Sequence, residues 1–475
     1  MADDNLCYLS AVEAIRRFKA RTLSPVEFVR ALIARAEAVE PRINAFTVRF
    51  FDRALEQAKQ AEAKYAKAGA RLRPLEGVPV VIKDETTIKG ERTTFGSLIY
   101  RDNRDTNTAP AAERILGAGA ILLARSTAPE FSCAAVTHSR LWGVTRNPWN
   151  LAYNPGGSSG GAGAALAAGT TTLANGSDIG GSIRIPASAC GVVGFKPPYG
   201  RNPEEPPFNL DWYNHPGPLA RTVADCALLQ NVMSGPHPRD IASIHPKLRI
   251  PTRLGDIKGW RIAFSLDLGF FRIDPEVERN TRAALDVFRD LGATVEEVAL
   301  GWTAATRQAF WSHLNAIFGA WIGRLLPDHR AEMTSYALAF ADGAQATTTA
   351  DLLAAMEVEG AMYETLAALL RKYDILVCPT LAVPAVAAEH DPQDPDFRVG
   401  GVPVGADLDW CLTYPFNMMS RCPVMSVPSG FAASGVPTGL QIVGRAYDDV
   451  RVFRAAAAFE TARPWLDTAA RRPRL

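Results

Sequence analysis

The chain has 475 residues, with 51 Lys and Arg against 50 Asp and Glu, so its formal net charge is +1. A nucleic-acid-binding protein normally carries a clustered basic excess, and this balance therefore argues against a nucleic-acid partner. Hydrophobic residues make up 47% of the chain and charged residues 21%, which is typical of a globular protein with a large core.

Cysteine usage and the N-terminus bear on where the protein works. The seven cysteines are scattered and include no C-x-x-C pair, which predicts buried, reduced thiols instead of a disulfide framework. The opening residues MADDNLCYLS lack the basic and apolar regions of a signal peptide. No apolar run reaches the ~18 residues that a membrane span requires. We therefore expect a cytoplasmic protein with no membrane partner.

Residues 1–70 are predicted to form N-terminal helices. Ser10 and Ser24 each precede a glutamate by three positions, the pattern of a capping box, and Pro25 stands at a first helical position. A third helix is predicted from about residue 52 to 68 and ends at Gly69.

Short apolar runs then alternate with helical stretches. The predicted elements are, in chain order, a strand at 78–82, a helix at 109–117, a strand at 120–124, a mostly helical region at 302–372, and strands at 373–379 and 423–428. This alternation predicts an α/β fold in which helices cover a sheet.

Two glycine-serine clusters, GGSSGG at 156–161 and GSDIGGSIR at 176–184, flank a stretch of small residues. Glycine lets the backbone crowd around a reacting atom because it has no Cβ. In the run DIGGS that begins at Asp178, successive N–H groups can converge on one oxygen and hold the oxyanion of a tetrahedral intermediate. Ser182 is therefore the candidate nucleophile, and Asp178 and Arg184 are expected to pair and hold the loop.

A lysine and a second serine complete a candidate proton relay. Lys83 follows the apolar run 78–82, so we expect it at the carboxyl end of a buried strand, the usual place for active sites in open α/β sheets. Burial would lower its pKa from the ordinary value of ~10.4 and let it act as a base. We expect Ser158 to bridge Lys83 and Ser182 by hydrogen bonds.

These motifs, together with GFKP and the upstream GVPVVIKD, resemble the amidase signature family of Ser-Ser-Lys hydrolases. The similarity extends over almost the whole chain, from SPVEFVRALIARAEAVEPRINAF through GPLARTVADCALL and YDILVCPT to CPVMSVPSGF and GVPTGLQIVGR. It implies one amidase domain over residues 1–475, with a single large mixed β-sheet covered by helices on both faces. Residues 77–231 would form the core that carries the triad, and about 302–372 a variable helical region beside the substrate pocket.

The resemblance also implies a role for each site residue. Lys83 resembles the family's base, Ser158 the bridging serine, which in the family follows a cis peptide bond, and Ser182 the acylated nucleophile. The oxyanion hole would be formed by the backbone amides of Ile179, Gly180, Gly181 and Ser182. Supporting side chains would be Ser177, Asp178 and Arg184. No metal or organic cofactor is expected.

Other interpretations leave part of this pattern unexplained. Gly156-x-Ser158-x-Gly160 matches the nucleophile elbow of an α/β-hydrolase, with Ser158 attacking and His390 as a candidate base, but GSDIGGSIR then has no role. A phosphate-binding loop would require G-K-[ST] after the glycines. A flexible linker would not lie among apolar segments. The seven histidines show no metal-binding spacing, so no metal site is expected.

The predicted substrate pocket draws on apolar and aromatic residues. Residues 202–218, rich in Pro, Asn and aromatics, are predicted to form an ordered loop. The candidate pocket residues are Ile185, Phe208, Trp212, Tyr213 and Trp321. One predicted helical face carries Phe310, Leu314, Ile317 and Trp321, a spacing that favours core over acyl pocket.

The expected activity is hydrolysis of a carbon–nitrogen bond of a small amide, through an acyl-enzyme on Ser182 and a Lys83–Ser158 proton relay. The resemblance leaves alkyl and aryl amides, esters and carbamates (urethanes) open as substrates. The alternative is a glutaminase-type component of a tRNA-dependent amidotransferase complex (its A subunit), although the apolar Ile185 does not suit a glutamine side chain. The expected partner is a small amide-type substrate, and the expected state is a monomer or homodimer.

Overall fold

A mixed β-sheet of 11 strands runs through the centre of the protein. The structure is a computed structural model that describes residues 4–475. The strands are β1 Phe46–Arg49, β2 Pro79–Lys83, β3 Ile121–Ser126, β4 His138–Ser139, β5 Gly143–Val144, β6 Leu173–Asp178, β7 Val193–Lys196, β8 His215–Ala220, β9 Arg261–Phe264, β10 Thr294–Glu297, β11 Ile375–Pro379, β12 Arg398–Val399, β13 Val402–Pro403, β14 Val424–Phe431 and β15 Pro437–Val443.

In the part of the chain that the structure describes, sixteen α-helices lie between and around the strands, several of them in the stretch predicted to be helical at 302–372. They are α1 Asp4–Cys7, α2 Ala11–Ala20, α3 Pro25–Ile43, α4 Phe51–Ala66, α5 Pro110–Gly117, α6 Gly160–Ala167, α7 Arg184–Cys190, α8 Val223–Met233, α9 Pro275–Asp290, α10 Ala305–Leu314, α11 Ala320–Gly323, α12 Leu326–His329, α13 Ser335–Ala346, α14 Thr349–Leu370, α15 Pro415–Met418 and α16 Asp449–Ala462.

The strand order in the large sheet is β1-β3-β2-β6-β8-β7-β14-β15-β11-β9-β10. The pairs within β3-β2-β6 and β11-β9-β10 are parallel, and the strands between β6 and β11 pair antiparallel. The prediction of a single large mixed sheet is confirmed. Since β2 and β6 are parallel neighbours, their carboxyl ends meet at one edge.

Strand alternation divides the core into layers on the two faces of the sheet. In β11, Ile375 and Val377 belong to a cluster packed by α5, α8, α9 and α16. Leu376 and Cys378, which point the other way, belong to a cluster with α10, α13 and α14. Helices α6 and α7 pack in a third cluster with Val81 of β2. Helices therefore cover both faces, as predicted.

The N-terminal helices begin and end close to the predicted positions. The side chain of Ser10 caps α2, and that of Ser24 caps α3, where Pro25 is the first helical residue. Helix α4 ends at Ala66, shortly before Gly69, which has a φ of +71°. The sequence predicts these helix ends well because a capping hydrogen bond joins residues that are close together in the chain.

The loop predicted at 202–218 is correct for its first part and wrong for its last residues. The segment from His215 onward forms β8, which pairs along its whole length with β6. Pro216 and Pro218 suggested a loop because proline cannot donate a ladder hydrogen bond. They are tolerated because β7, on the other side of β8, pairs only with Leu219 and Ala220.

Helix α6 packs closely because it is made of glycine and alanine with a single leucine, and all its residues are buried. A Cβ at Gly161 would overlap the backbone nitrogen of Thr127. A Cβ at Gly163 would lie 3.0 Å from Pro186 in α7. This close approach fixes the loop that precedes α6, and that loop carries Ser158.

We expect Gly161→Ala to lower the free energy of unfolding by about 1–3 kcal/mol, because the added methyl overlaps backbone atoms that cannot move aside. Gly117→Ala is the matched control, since Gly117 ends α5 and a Cβ there would have no described atom within 4 Å. The control should leave stability unchanged or raise it by up to about 1 kcal/mol. Denaturant unfolding measures both, and equal effects would contradict the packing argument.

Candidate active site

Lys83 is the last residue of β2, and its side chain is fully buried. Its Nζ lies 2.6 Å from Oγ of Ser158 and 3.1 Å from Oγ of Ser177. Burial lowers the pKa of Lys83, and the nearby Glu85 carboxylate opposes this shift. The amine is therefore placed to exchange a proton with a serine hydroxyl.

Ser158 lies in the loop before α6, directly after a cis peptide bond from Gly157. Glycine is required at 157, because a Cβ there would overlap a backbone carbonyl oxygen of Val136. The N–H of Ser159 donates to the carbonyl of Ser182 at 3.1 Å, which joins the two glycine-serine loops. No hydrogen bond links the hydroxyls of Ser158 and Ser182 in the described structure. The expected bridge is thus formed on its lysine side only.

The turn at 179–182 follows β6 and leads into α7. Thr413 donates its hydroxyl to the carbonyl of Gly180 at 2.6 Å and so fixes the following peptide plane. Gly181 has a φ of +129°, and a Cβ there would overlap Oγ1 of Thr413. The N–H groups of 179–182 donate no hydrogen bond to another described residue. The turn therefore offers donors beside Ser182 that can hold an oxyanion.

Asp178 and Arg184 pair across this turn, as predicted, with both side chains fully buried. Nη2 and Nε of Arg184 lie 2.8 and 2.9 Å from the two carboxylate oxygens of Asp178. Burial alone would raise the pKa of Asp178, but Arg184 and Asn417 hold it below its ordinary value. Arg184 also donates to Gln441 at 2.7 Å. The network ties the turn to the antiparallel part of the sheet.

Two cavities lie on either side of the turn. The smaller, of about 230 Å³, is lined by Ser182 and by Ile179 and Gly180 of the turn. The larger, of about 610 Å³, is lined by Ser158 and Ser177. Residues common to both are Ser132, Ile179 and Phe318. These three residues form a wall shared by the two cavities, and a substrate that extends across it would contact both serine loops.

Three of the predicted pocket residues lie on the cavity walls. Ile185 lines the smaller cavity, and Phe208 and Trp321 line the larger one. The Trp321 ring makes edge contacts with Phe95, Phe131 and Phe208, with centroids 6.5, 5.7 and 5.5 Å away. These rings form an aromatic wall in the larger cavity.

Trp212 and Tyr213 line neither cavity, which corrects their placement in the predicted pocket. The indole N–H and the phenol O–H donate to the carboxylate of Glu359 in α14, at 3.1 and 2.5 Å. The Tyr213 ring stacks on Phe310 at 5.7 Å. Their polar atoms turn toward this half-buried carboxylate, so the two rings form a layer behind the cavity wall.

A π turn at 315–319 separates α10 from α11 and changes which residues face the cavity. Phe310 and Leu314 belong to the core and also line the smaller cavity. One turn later it is Phe318, not Ile317, that reaches the wall. Regular helical spacing fails here because a π turn holds more residues than an α turn.

Several site residues escaped the sequence analysis. Residues 132–135 line the smaller cavity, and they follow β3 at the same sheet edge as Lys83. The strand-end rule that selected Lys83 could have found them. Thr413, Asn417 and Gln441 come from distant segments, and no local signal marks them.

The rival interpretation with His390 as a base finds no support. The His390 ring contacts Phe397 and Trp410, its Nε2 lies 2.8 Å from the carbonyl of Ala406, and it lines neither cavity. Within residues 4–475, no cluster of three or more His, Cys, Asp and Glu side chains is arranged to hold a metal ion. In the same range, no helix has the length and apolar character needed to cross a membrane.

A buried lysine in contact with a serine, beside a glycine turn that presents backbone N–H donors, is typical of a hydrolase that acts through a serine. Comparison with known proteins agrees: the Amidase family pattern matches residues 27–453. The chain belongs to the amidase family, and it is a hydrolase of carbon–nitrogen bonds other than peptide bonds.

Three relatives illustrate the range of similarity. An acylamidase of Rhodococcus erythropolis is 39% identical over 98% of both chains. The A subunit of the glutamyl-tRNA(Gln) amidotransferase of Geotalea daltonii is 32% identical over 94% of this chain and 96% of its own. The crystal structure of a bacterial aryl acylamidase of the amidase signature family has a TM-score of 0.89 and 31% identity, over 96% of each chain.

Asp178→Asn should lower the free energy of unfolding by about 3–5 kcal/mol, because it leaves the Arg184 charge buried without its partner. The control is Glu278→Gln in α9, whose pair with Arg282 at 2.8 Å is largely exposed. That change should not alter the unfolding midpoint measurably. Thermal or denaturant unfolding compares the two, and a small effect for Asp178→Asn would show that the buried pair is dispensable.

Proposed function

We propose that the protein hydrolyses its substrate through an acyl-enzyme on Ser182, with Ser158 and Lys83 as the proton relay. The observation that carries this proposal is the 2.6 Å contact between Nζ of Lys83 and Oγ of Ser158 in a fully buried setting. A lysine whose pKa is lowered by burial has a neutral fraction that can accept a proton.

In the first step, Oγ of Ser182 attacks the carbonyl carbon of the substrate. Its proton passes to Ser158, whose own proton passes to Lys83. Rotation of the Ser182 side chain would form the hydrogen bond to Ser158 that is absent in the substrate-free structure, since such bonds often tighten only when substrate is bound. The amides of 179–182 hold the oxyanion, where removal of one donor typically costs about 10²–10³-fold in rate.

In the second step, the relay runs in reverse. Ser158 donates a proton to the amine as the carbon–nitrogen bond breaks, and Lys83 returns a proton to Ser158. Water then attacks the acyl carbon and gives a proton to the same relay; as the bond from carbon to Oγ of Ser182 breaks, Ser158 returns that proton to Ser182 and the acid is released. The two serines thus have different roles, one covalent and one proton-carrying.

This relay assigns the two cavities to the two halves of the substrate. Because Ser158 protonates the leaving amine, the amine lies in the larger cavity, which Ser158 lines. The acyl group lies in the smaller cavity, with Ser182 and the turn amides. A volume of about 230 Å³ exceeds the ~150 Å³ of a cavity that binds benzene, so one ring or a short chain fits.

The cavity walls favour an apolar acyl group and an aromatic amine. The smaller cavity is lined by Ile185, Phe310 and Leu314. The larger cavity has the aromatic wall around Trp321, on which an aromatic amine can pack. We therefore propose aryl amides of apolar acids as the substrate class. The corresponding carbamates present the same carbonyl and the same amine, and the proposal extends to them.

We also propose a cytoplasmic protein that acts as a monomer or homodimer. All seven cysteines are buried, and none forms a disulfide within the described residues, as expected in a reducing compartment. The proposed relay and turn come from one chain, so no second chain is needed to complete them. The apolar residues that line the proposed acyl cavity disfavour the amidotransferase alternative, because a glutamine side chain is polar.

A fluorophosphonate should form one covalent adduct, on Ser182, detected by intact mass and peptide mapping. Ser182→Ala and Lys83→Ala should form none, and Ser158→Ala should react more slowly by a factor of about 10² or more, because proton removal is lost. The control is Ser188→Ala, whose buried hydroxyl has no hydrogen-bond partner among the described residues, and it should label as the wild type does. An adduct on Ser158 would reverse the assignment.

Substrate pairs test the cavity assignment. Leu314→Trp fills the smaller cavity and should lower kcat/KM for a hexanoyl anilide about 10-fold more than for acetanilide. Trp321→Ala removes part of the amine wall and should affect anilides more than alkylamides of the same acid. If both variants respond to the acyl chain alone, the assignment is wrong. Preferred hydrolysis of glutamine by the wild type would support the amidotransferase alternative.

A further inference from the structure

Glu85 lies beside the proposed relay but takes no part in its proton transfers. Its Oε2 is 3.1 Å from Nζ of Lys83, and its side chain is 17% exposed, on the wall of the larger cavity. Lys83 is fully buried, so a charge on its amine has little access to water. A carboxylate at this distance is the natural counterion for that charge.

The local backbone holds Glu85 in this position. The N–H of Thr86 donates to the carbonyl of Lys83 at 3.0 Å, which closes a tight turn with Glu85 inside it. Buried Arg125, in β3, donates to the carbonyls of Lys83 and Thr86 at 2.9 and 2.6 Å. The neighbouring Asp84 points elsewhere and accepts the N–H of Thr94 at 3.0 Å. The turn therefore directs Glu85 toward the amine.

Other charged groups near Lys83 are engaged or neutralised. Asp178 is paired with Arg184. Burial, with Glu85 and other carboxylates nearby, raises the pKa of Glu204 to about 8, so it is mostly protonated at neutral pH. Arg125 is held by the backbone carbonyls. Glu85 is thus the available anion at contact distance.

The amine has three neighbours within 3.1 Å, namely Ser158, Ser177 and Glu85. A neutral amine has two N–H groups and one lone pair. If Ser177 and Glu85 accept the two N–H groups, the lone pair is directed at Ser158, which is the direction that proton transfer requires. After the transfer, the ammonium ion has an acceptor for each of its three N–H groups.

We propose that Glu85 is a positioning residue for Lys83: it orients the amine toward Ser158 and stabilises the ammonium ion that forms when the relay delivers a proton. This inference rests on the proposed function. The proton transfers are those of the acylation step. As the bond from Oγ of Ser182 to carbon forms, the hydroxyl proton of Ser182 moves to Ser158, and the hydroxyl proton of Ser158 moves to Lys83. Glu85 takes no proton.

The pH dependence of acylation tests this proposal. The acid limb of kcat/KM reports the loss of neutral Lys83, and the anion at 3.1 Å favours the protonated form. Glu85→Gln keeps an oxygen acceptor but removes the charge. Its acid limb should move to lower pH by about 1 unit, and its plateau should fall by about 3- to 10-fold because the base is weaker.

Glu85→Asp is the conservative variant. It retains the charge within a few ångströms of the amine, so its acid limb should stay near the wild-type pH even if the plateau falls. Glu56→Gln, on the exposed face of α4, is the matched control and should change neither limb nor plateau. Thermal unfolding of each variant verifies folding, and if Glu85→Gln fails to fold, Glu85→Ala, which also removes the charge, takes its place and should move the acid limb in the same direction.

The results for the Lys83 and Glu85 variants distinguish a failure of the Glu85 proposal from a failure of the proposed relay. If Lys83→Ala still acylates, the proposed relay is wrong whatever Glu85 does. If Lys83→Ala is inactive but Glu85→Gln keeps the wild-type acid limb, or moves it to higher pH, the Glu85 proposal alone is wrong. A displaced acid limb in Glu85→Asp, with the charge retained, would also overturn it.

Discussion

The proposed chemistry of this site depends on keeping the amine of Lys83 out of water. Lys83 ends a strand in the interior of the sheet, and its environment costs the charged form more than the neutral form. A surface lysine beside the same serines would remain protonated and could not take a proton. The neighbouring strands β3 and β6, the closely packed α6 and the turn that follows β2 together bury this amine, so a large part of the fold contributes to lowering the pKa of one group.

A second constraint is the position of the backbone around the turn at 179–182. Its N–H groups stay available for an oxyanion because Gly181 adopts a conformation that side chains disfavour and Thr413 holds the preceding carbonyl. The buried pair of Asp178 and Arg184 then anchors both ends of the turn. A donor array built in this way needs no rearrangement during the reaction, which is the main advantage of preorganised electrostatic stabilisation.

The sequence predicts the mixed sheet, the helices on both faces and the capped N-terminal helices, because these follow from periodicity and local hydrogen bonding. It also brings Lys83 and Ser158 together correctly. It does not find Thr413 or Asn417, since a contact made across more than 200 residues leaves no local trace. It misplaces Trp212 and Tyr213, because hydrophobicity alone does not distinguish a ring on a cavity wall from one behind it.

The elements that line the smaller cavity differ from those that carry Lys83 and the serine loops, and this difference has an evolutionary consequence. The aromatic side chains that line the smaller cavity come from the helical region between β10 and β11, whereas Lys83 and the serine loops lie at the ends of sheet strands and beside α6 and α7. Under the proposed assignment of the cavities, substitutions in that helical region would change which acid is accepted without disturbing the buried amine. Under this assignment, the fold separates the residues that set reactivity from most of those that set substrate preference, so the second group can vary while the first is kept.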